Sequence, residues 1–284
     1  MVTRAKRGVF KPKSFAFLTT TPEYTPTSID EALTDPHWSH AATDEYDALI
    51  KFGTWDLVPL PPGRHSIGCK WLFKKKFNAN GYIIRYKGRL VAQGFSEEIC
   101  ADYTDTFSPV VKPPTIRTLL TLAVSHDWKL HQVDFNNAFL NDHIQEEVYM
   151  DQPPGFIQAS STGAPLVCRL KKAIYGLKQA PRAWFQTLCH SLASLQFTQS
   201  KADPCLLLHH TPSTVTYLIV YVDDLLIFGS DEKQVQTLIQ AMSAMFSLKD
   251  LGDVSYFLGV EFTRTPTGLL LSQKKYIREL LKNN

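Results

Sequence analysis

Apolar and polar positions along this chain follow two periods, and the switches between them mark out its elements. Behind the N-cap and first-turn pair Asp35-Pro36, the positions Trp38, Ala41, Ala42, Tyr46, Leu49 and Ile50 recur at helical spacing up to Gly53. This predicts a helix of about four turns. From Lys70 to Phe77 and from Tyr82 to Gln93 the period drops to two, with β-formers alternating with Lys and Arg. The segment between them, Asn78-Ala79-Asn80-Gly81, ends in an Asn-Gly step that favours positive φ, so a β-hairpin is expected. After Pro113-Pro114 a helix is predicted over Ile116 to Val124, a strand over Trp128 to Phe135, and another helix from about Asn137. Pro153-Pro154-Gly155 and Ser160 to Pro165 read as loops, and Ala180 to Leu195 as a long amphipathic helix. Later come strands over Val215 to Val222 and Leu225 to Phe228, then a helix capped by Ser230-Asp231 that carries Val235, Leu238, Ile239, Met242, Met245 and Phe246 on one face. Two short strands around Tyr256 to Phe262 and Leu269 to Leu271, and a helix from Gln273, complete the pattern. Helices interleaved with antiparallel strands and no internal repeat predict an α+β fold, a sheet covered on one face by helices.

The pattern is broken most sharply at Tyr217-Leu-Ile-Val-Tyr-Val-Asp-Asp-Leu-Leu-Ile-Phe228, where Asp223 and Asp224 interrupt an otherwise apolar segment. An unpaired carboxylate costs several kcal/mol to bury, about 2 or more, so such a pair needs a compensating partner, commonly a metal ion. Asp134, read as the end of the strand Lys129 to Val133, is the third acid at a strand end. If these strands are neighbours, Asp134 and Asp223 share a surface and can chelate two hard divalent cations roughly 3.5 to 4 Å apart, as in phosphoryl-transfer sites. The plain alternative is a tight-turn pair at Asp223-Asp224 and a helix cap at Asp134.

Composition adds bounds. Of 284 residues, 44% are hydrophobic and 20% charged, and 30 Lys plus Arg stand against 27 Asp plus Glu. The formal charge of +3 is too small to argue for nucleic acid, so local clustering must carry that case. Cys69, Cys100, Cys168, Cys189 and Cys205 lie far apart with no C-x-x-C pair, which reads as buried thiol rather than disulfide or zinc. His126, His131 and His209-His210 lack ligand spacing with Cys and read as ordinary histidines. Residues 1–28 read as a flexible leader, neither a secretory signal nor a spanning helix is present, and the protein is expected to be intracellular, with no membrane partner.

Tyr221-Val222-Asp223-Asp224 in an apolar hairpin resembles the reverse transcriptase signature, and the surrounding words resemble the copia-type LTR retrotransposon branch. These words are Lys70-Trp-Leu-Phe-Lys74, Tyr86-Lys-Gly-Arg-Leu-Val-Ala-Gln-Gly-Phe95, Phe107-Ser-Pro-Val110, Gln132-Val-Asp134 with Ala138-Phe-Leu140, Tyr149-Met-Asp-Gln-Pro-Pro-Gly-Phe156 and Tyr175-Gly-Leu-Lys-Gln-Ala-Pro-Arg-Ala-Trp184. They run in family order over about residues 30 to 280.

The resemblance implies a right-hand polymerase of fingers and palm at residues 29–284: mainly fingers over 29–125, mainly palm with a fingers insertion over 126–262, and the start of a truncated thumb or connection over 263–284. It implies catalytic Asp134, Asp223 and Asp224, and two Mg²⁺ ions, with Mn²⁺ as a substitute, held by these acids and the Phe135 carbonyl. Phe139 would be an aromatic gate that stacks under the incoming sugar and rejects a 2′-hydroxyl; its plain reading is a core aromatic. Lys75, Lys87 and Arg89 of the basic hairpin would meet the triphosphate, within a register of one or two residues, with Gln179 and Tyr221 also on the nucleotide. Lys178, Pro181 and Arg182 would meet the template, Phe257, Leu258 and Gly259 would grip the primer, and Lys249 would protonate the pyrophosphate. The partners implied are an RNA or DNA template-primer, deoxynucleoside triphosphates and other retrotransposon Pol products, in a cytoplasmic particle or the nucleus. Two rivals stand beside this reading. A remnant that binds nucleic acid without turnover draws support from the chain stopping at Asn284 with no room for a thumb. A two-metal nuclease would leave Phe139, the Gln179-Pro181 loop and the basic hairpin without a task.

Overall fold

The computed structural model describes residues 24–77, 82–98, 102–103, 105–141, 143–160, 163–266 and 268–282. Most of the expected leader, the Asn78–Gly81 turn and Cys100 lie outside these residues. The chain opens with helix α1 (Ile29–Thr34), capped by the Ser28 side chain, and α2 (Pro36–Lys51), where Asp35 accepts from the His37 and Trp38 N–H groups as the sequence predicts. Strand β1 (Trp55–Val58) follows, then the long hairpin of β2 (Cys69–Phe77) and β3 (Ile83–Ala92), α3 (Pro113–Ser125), β4 (His131–Phe135), β5 (Tyr149–Met150) and β6 (Val167–Leu170). Helix α4 (Ala180–Ser194) leads into β7 (Thr198–Gln199), β8 (Leu206–His210), β9 (Val215–Tyr221) and β10 (Asp224–Gly229). The remainder is α5 (Glu232–Met245), β11 (Leu248–Asp253), β12 (Tyr256–Phe257), β13 (Val260–Thr265), β14 (Gly268–Ser272) and α6 (Lys274–Lys282).

The central sheet has the order β11-β4-β10-β9-β8-β7, with every neighbouring pair antiparallel. Because side chains alternate across a pleated strand, the inner strands β8, β9 and β10 feed two cores. One face presents Val133, Phe135, Leu218, Val220, Leu225 and Ile227 to Trp184 and Leu188 of α4 and to Val235, Leu238 and Met242 of α5. The other presents Ile219, Leu226 and Phe228 to Leu119, Leu120 and Ala123 of α3, with Phe257 and Phe262 from the small β12-β13-β14 sheet. The expected single helical cover is therefore corrected: the second face is closed too, at the end of the strands remote from Asp134 and Asp224.

Three further expectations change. The strand read from Trp128 begins at His131. The helix expected from about Asn137 is only a 3₁₀ turn over Ala138–Asn141, because Asn137 takes a φ of 50° that cannot start an α-helix. The segment Tyr256 to Phe262, which reads equally as a plain strand or as a hairpin, is a hairpin: Leu258-Gly259, with φ values of 51° and 79°, make a two-residue reversal between β12 and β13, and only the plain-strand reading changes. Short β1, β5 and β6 form a separate sheet that the apolar pattern does not announce. Among the described residues, Cys69, Cys168, Cys189 and Cys205 form no disulfide, and no helix is long and apolar enough to cross a membrane.

Candidate active site

The site is built on one tight turn. β9 and β10 reverse through Val222 and Asp223, since Tyr221 and Asp224 already pair across the ladder. The turn therefore sits one residue earlier than Asp223-Asp224, and Asp224 is the first residue of a strand. Val222 holds a φ of 55°, a conformation that a β-branched residue adopts at a cost of about 1–3 kcal/mol. Two bonds from outside the hairpin hold it there. The indole Nε1–H of Trp184 donates to the Val222 carbonyl at 2.8 Å, and the Phe135 N–H donates to the Asp223 carbonyl at 2.9 Å. Trp184 is itself fixed, fully buried and edge-on to Phe135 and Phe246 with centroids 4.9 and 5.3 Å away.

Across the ladder, Asp224 is the direct partner of Asp134 on β4. Directly opposed residues of an antiparallel pair project from the same face, so these two carboxylates emerge together beside the turn that carries Asp223. Both resist ionisation. Burial first, then the Asp223 charge, raises the Asp134 carboxyl above its ordinary value. Burial, then Asp223 and Asp134, pushes Asp224 up to about 6, although a hydrogen bond from Gln132 opposes the shift. Lys87, Lys249 and Lys76 supply compensating positive potential at Asp134, and Lys249 lies opposite Asp134 in the β11–β4 ladder. The Tyr175 hydroxyl donates to Asp223 Oδ2 at 3.4 Å. All the donors are hard oxygens, the type that Mg²⁺ selects. Among the described residues, no three His, Cys, Asp or Glu already close into a metal cage.

The basic hairpin has two unlike faces. Lys74 opposes Lys87, Lys76 opposes Arg85, and Leu72 opposes Arg89 on one side; Lys75 opposes Tyr86 and Phe73 opposes Gly88 on the other. The second side packs on α2, where Tyr86 stacks on His37 at 4.9 Å and meets Trp38 edge-on at 4.7 Å. Lys75 thus faces away from Lys87 and Arg89. Burial, then repulsion by Arg89, lowers the Lys87 ammonium pKa, while Glu45 of α2 supplies a countercharge. Between α2, β3 and Asn136-Asn137 lies a recess of about 300 Å³ lined by Glu45, Arg85 and Lys87.

Phe139 is buried and meets the Tyr175 ring edge-on at 4.7 Å. Tyr221 is partly exposed and shares its face with Asp224. Gln179 is buried and donates to the Asp102 carbonyl at 3.3 Å. Lys178 turns its ammonium toward the Glu97 carbonyl at 3.0 Å and the Tyr103 ring at 4.7 Å. Pro181 stands in the first turn of α4, and Arg182 pairs with Asp105 at 3.4 Å. Phe257 is buried, and half-buried Leu258 and Gly259 form the reversal of the small sheet, with Leu258 packed against the α3 core. His131 bonds Glu232 at 2.8 Å. The sequence by itself assigned no role to Gln132, Tyr175 or Trp184. Gln132 was within reach, since a residue two before Asp134 on a strand shares its face. Trp184 and Tyr175 stand in a quoted motif, but their contacts to the turn are made only in three dimensions.

The profile of the family "Reverse transcriptase (RNA-dependent DNA polymerase)" matches residues 52–284. The chain is 45% identical over 284 residues to the retrovirus-related Pol polyprotein from transposon RE1 of Arabidopsis thaliana, covering 99% of this chain and 19% of that protein. It is 40% identical over 263 residues to the counterpart from transposon TNT 1-94 of Nicotiana tabacum, covering 90% of this chain and 20% of that protein. The chain therefore spans about a fifth of the length of these relatives. The match takes in the aspartate turn, both strands beside it and the Tyr175–Trp184 segment, and on that extent the chain belongs to the reverse transcriptase family, in its copia-type Pol polyprotein branch.

Proposed function

We propose that this chain is the polymerase domain of a retrotransposon Pol protein, extending a primer 3′-hydroxyl with deoxynucleoside triphosphates along an RNA or DNA template and releasing pyrophosphate. The observation that carries it is the Asp224–Asp134 pairing beside the Val222-Asp223 turn, which gathers three carboxylates at one sheet end. Asp134, Asp223, Asp224 and the Phe135 carbonyl would hold two Mg²⁺ ions. Such ions supply charge stabilisation for in-line displacement at phosphorus. The raised pKa values of Asp134 and Asp224 fit this assignment, because carboxylates crowded without a cation hold their protons. The open arrangement fits as well, since Mg²⁺ is commonly completed by water and substrate phosphates rather than by an all-protein cage.

In this reading Lys87 and Arg89 hold the triphosphate from the hairpin face that points to Asp134. Phe139, with Tyr175 against its edge, forms the floor that excludes a 2′-hydroxyl, and Tyr221 borders the nucleotide beside Asp224. Gln179 and Lys178 support the loop from within, by their bonds to Asp102 and Glu97, while Pro181 and Arg182 open α4 toward the template. Phe257, Leu258 and Gly259 form the primer-side hairpin. Residues 29–125 make up most of the fingers, 126–262 most of the palm, and 263–284 the beginning of a thumb or connection. The test is primer extension on poly(rA)/oligo(dT) with Mg²⁺, run beside a template-primer binding assay. Extension that Asp223→Asn abolishes without a loss of Tm is the expected result. Binding without extension by the native chain would favour the inactive remnant instead.

A further inference from the structure

One tyrosine at the centre of the site has no part in the proposed reaction beyond its contact with Phe139. Tyr175 lies in the loop between β6 and α4, and four contacts fix it. Its carbonyl accepts the Ala92 N–H at 2.8 Å. The Arg89 guanidinium carbon stands 3.6 Å from its ring centroid, Phe139 meets it edge-on at 4.7 Å, and its hydroxyl donates to Asp223 Oδ2 at 3.4 Å. The loop that carries it is packed backbone against backbone. A Cβ on Gly176 would collide with the Ala92 carbonyl, and a Cβ on Gly94 with the Gly176 carbonyl. Glu97 then accepts the Lys178 N–H at 2.8 Å.

A tyrosine serving only as core filler needs neither a guanidinium on its face nor a carboxylate at its hydroxyl. Among the described residues, Tyr175 is also the one side chain that hydrogen-bonds the Asp223 carboxylate. Asp223 sits in a two-residue turn, where the Phe135 N–H holds its carbonyl and leaves its carboxylate to be set by the Tyr175 hydroxyl. We propose that Tyr175 is a positioning residue for Asp223: clamped by Arg89, its hydroxyl sets the Asp223 carboxylate toward Asp134 and Asp224 and ties the basic hairpin to the aspartate turn. This rests on reading the three carboxylates as a divalent-cation site.

Tyr175→Phe removes the hydroxyl and keeps the ring under Arg89. Binding of Mn²⁺ to the full chain without substrate, followed by electron paramagnetic resonance, should weaken by roughly three- to tenfold, the scale of one hydrogen bond, with Tm unchanged. The Mg²⁺ concentration giving half-maximal extension should rise by a similar factor, while the KM for the nucleotide stays put. Arg89→Ala, which leaves the hydroxyl but frees the ring, should weaken Mn²⁺ binding too, and the double variant should be no weaker than Tyr175→Phe alone. Asp223→Asn is the reference. If Asp223→Asn weakens Mn²⁺ binding and both Tyr175→Phe and Arg89→Ala bind as the native chain does, the positioning role is overturned and the cation site stands. If Asp223→Asn itself binds Mn²⁺ like the native chain, the cation site and the positioning role fall together.

Discussion

At the scale of single residues, the site is a balance between carboxylates that repel one another and backbone bonds that keep them close. The sign of the pH dependence follows from Asp224. Its carboxyl is raised from 3.8 to about 6 in the fold, so the folded state holds a proton that the unfolded chain releases between those values. Its contribution to stability is full below 3.8, and it is lost as pH rises through about 6. In chelator, Asp224→Asn should therefore raise Tm near neutral pH and lose that advantage below 3.8; scanning fluorimetry across the range measures it, at about 2 to 4 °C per kcal/mol. Saturating Mg²⁺ should stabilise the native chain and not this variant's neutral site to the same degree. Trp184→Phe removes the indole donor from the Val222 carbonyl. An unsatisfied buried acceptor costs about 1–3 kcal/mol, so the variant should lose Tm and, in extension kinetics, lose kcat more than nucleotide affinity. The aspartates were legible in the sequence because charge inside an apolar run violates its surroundings. The indole bond was not, because nothing in the order of residues says which turn a helix tryptophan will reach.

Among the elements, the β2–β3 hairpin shows how much one residue of register decides. The alternation of Lys and Arg with apolar residues revealed a two-faced ribbon, but the sequence could not say which lysine shares the face of Arg89. The ladder puts Lys74, Lys76, Arg85, Lys87 and Arg89 together and sends Lys75 to the α2 side with Tyr86. Lys87→Ala should raise the KM for the nucleotide by about tenfold, equal to 1.4 kcal/mol, while Lys75→Ala should leave it within about twofold. The edge strand β11, Leu-Lys-Asp-Leu-Gly-Asp, was hidden from the apolar pattern for a related reason. It is polar, bulged between Asp250 and Gly252, and exposed on its outer side, as unpaired sheet edges commonly are. Yet it brings Lys249 opposite Asp134.

For the molecule as a whole, positive charge is concentrated rather than abundant. A net +3 gives little general attraction for a polyanion, while the hairpin gathers six of its seven cations, Lys70, Lys74, Lys76, Arg85, Lys87 and Arg89, on one face. Template-primer affinity should then fall steeply with salt, and replacing Lys74 and Lys76 by Gln should flatten the log–log slope by about 0.9 for each phosphate that is no longer neutralised. An unchanged slope would place the nucleic acid elsewhere. The two sheet faces explain why only one end of the central sheet is chemically available. α4 and α5 close one face, α3 and the small sheet close the far end of the other, and the strand ends bearing Asp134 and Asp224 remain half-buried.

The sequence by itself determined the helices with caps and periodic faces, the basic hairpin, the aspartate pair and the family. Those features are local, written in spacing along the chain. Tertiary structure alone decided that Asp224 pairs with Asp134, that Val222 takes the strained turn position, that Lys75 turns away, and that Tyr175 and Trp184 meet the aspartate turn. Each of these is a contact between segments distant in sequence, set by strand register and by which faces must be buried together, and register is a property of the folded sheet rather than of any one strand.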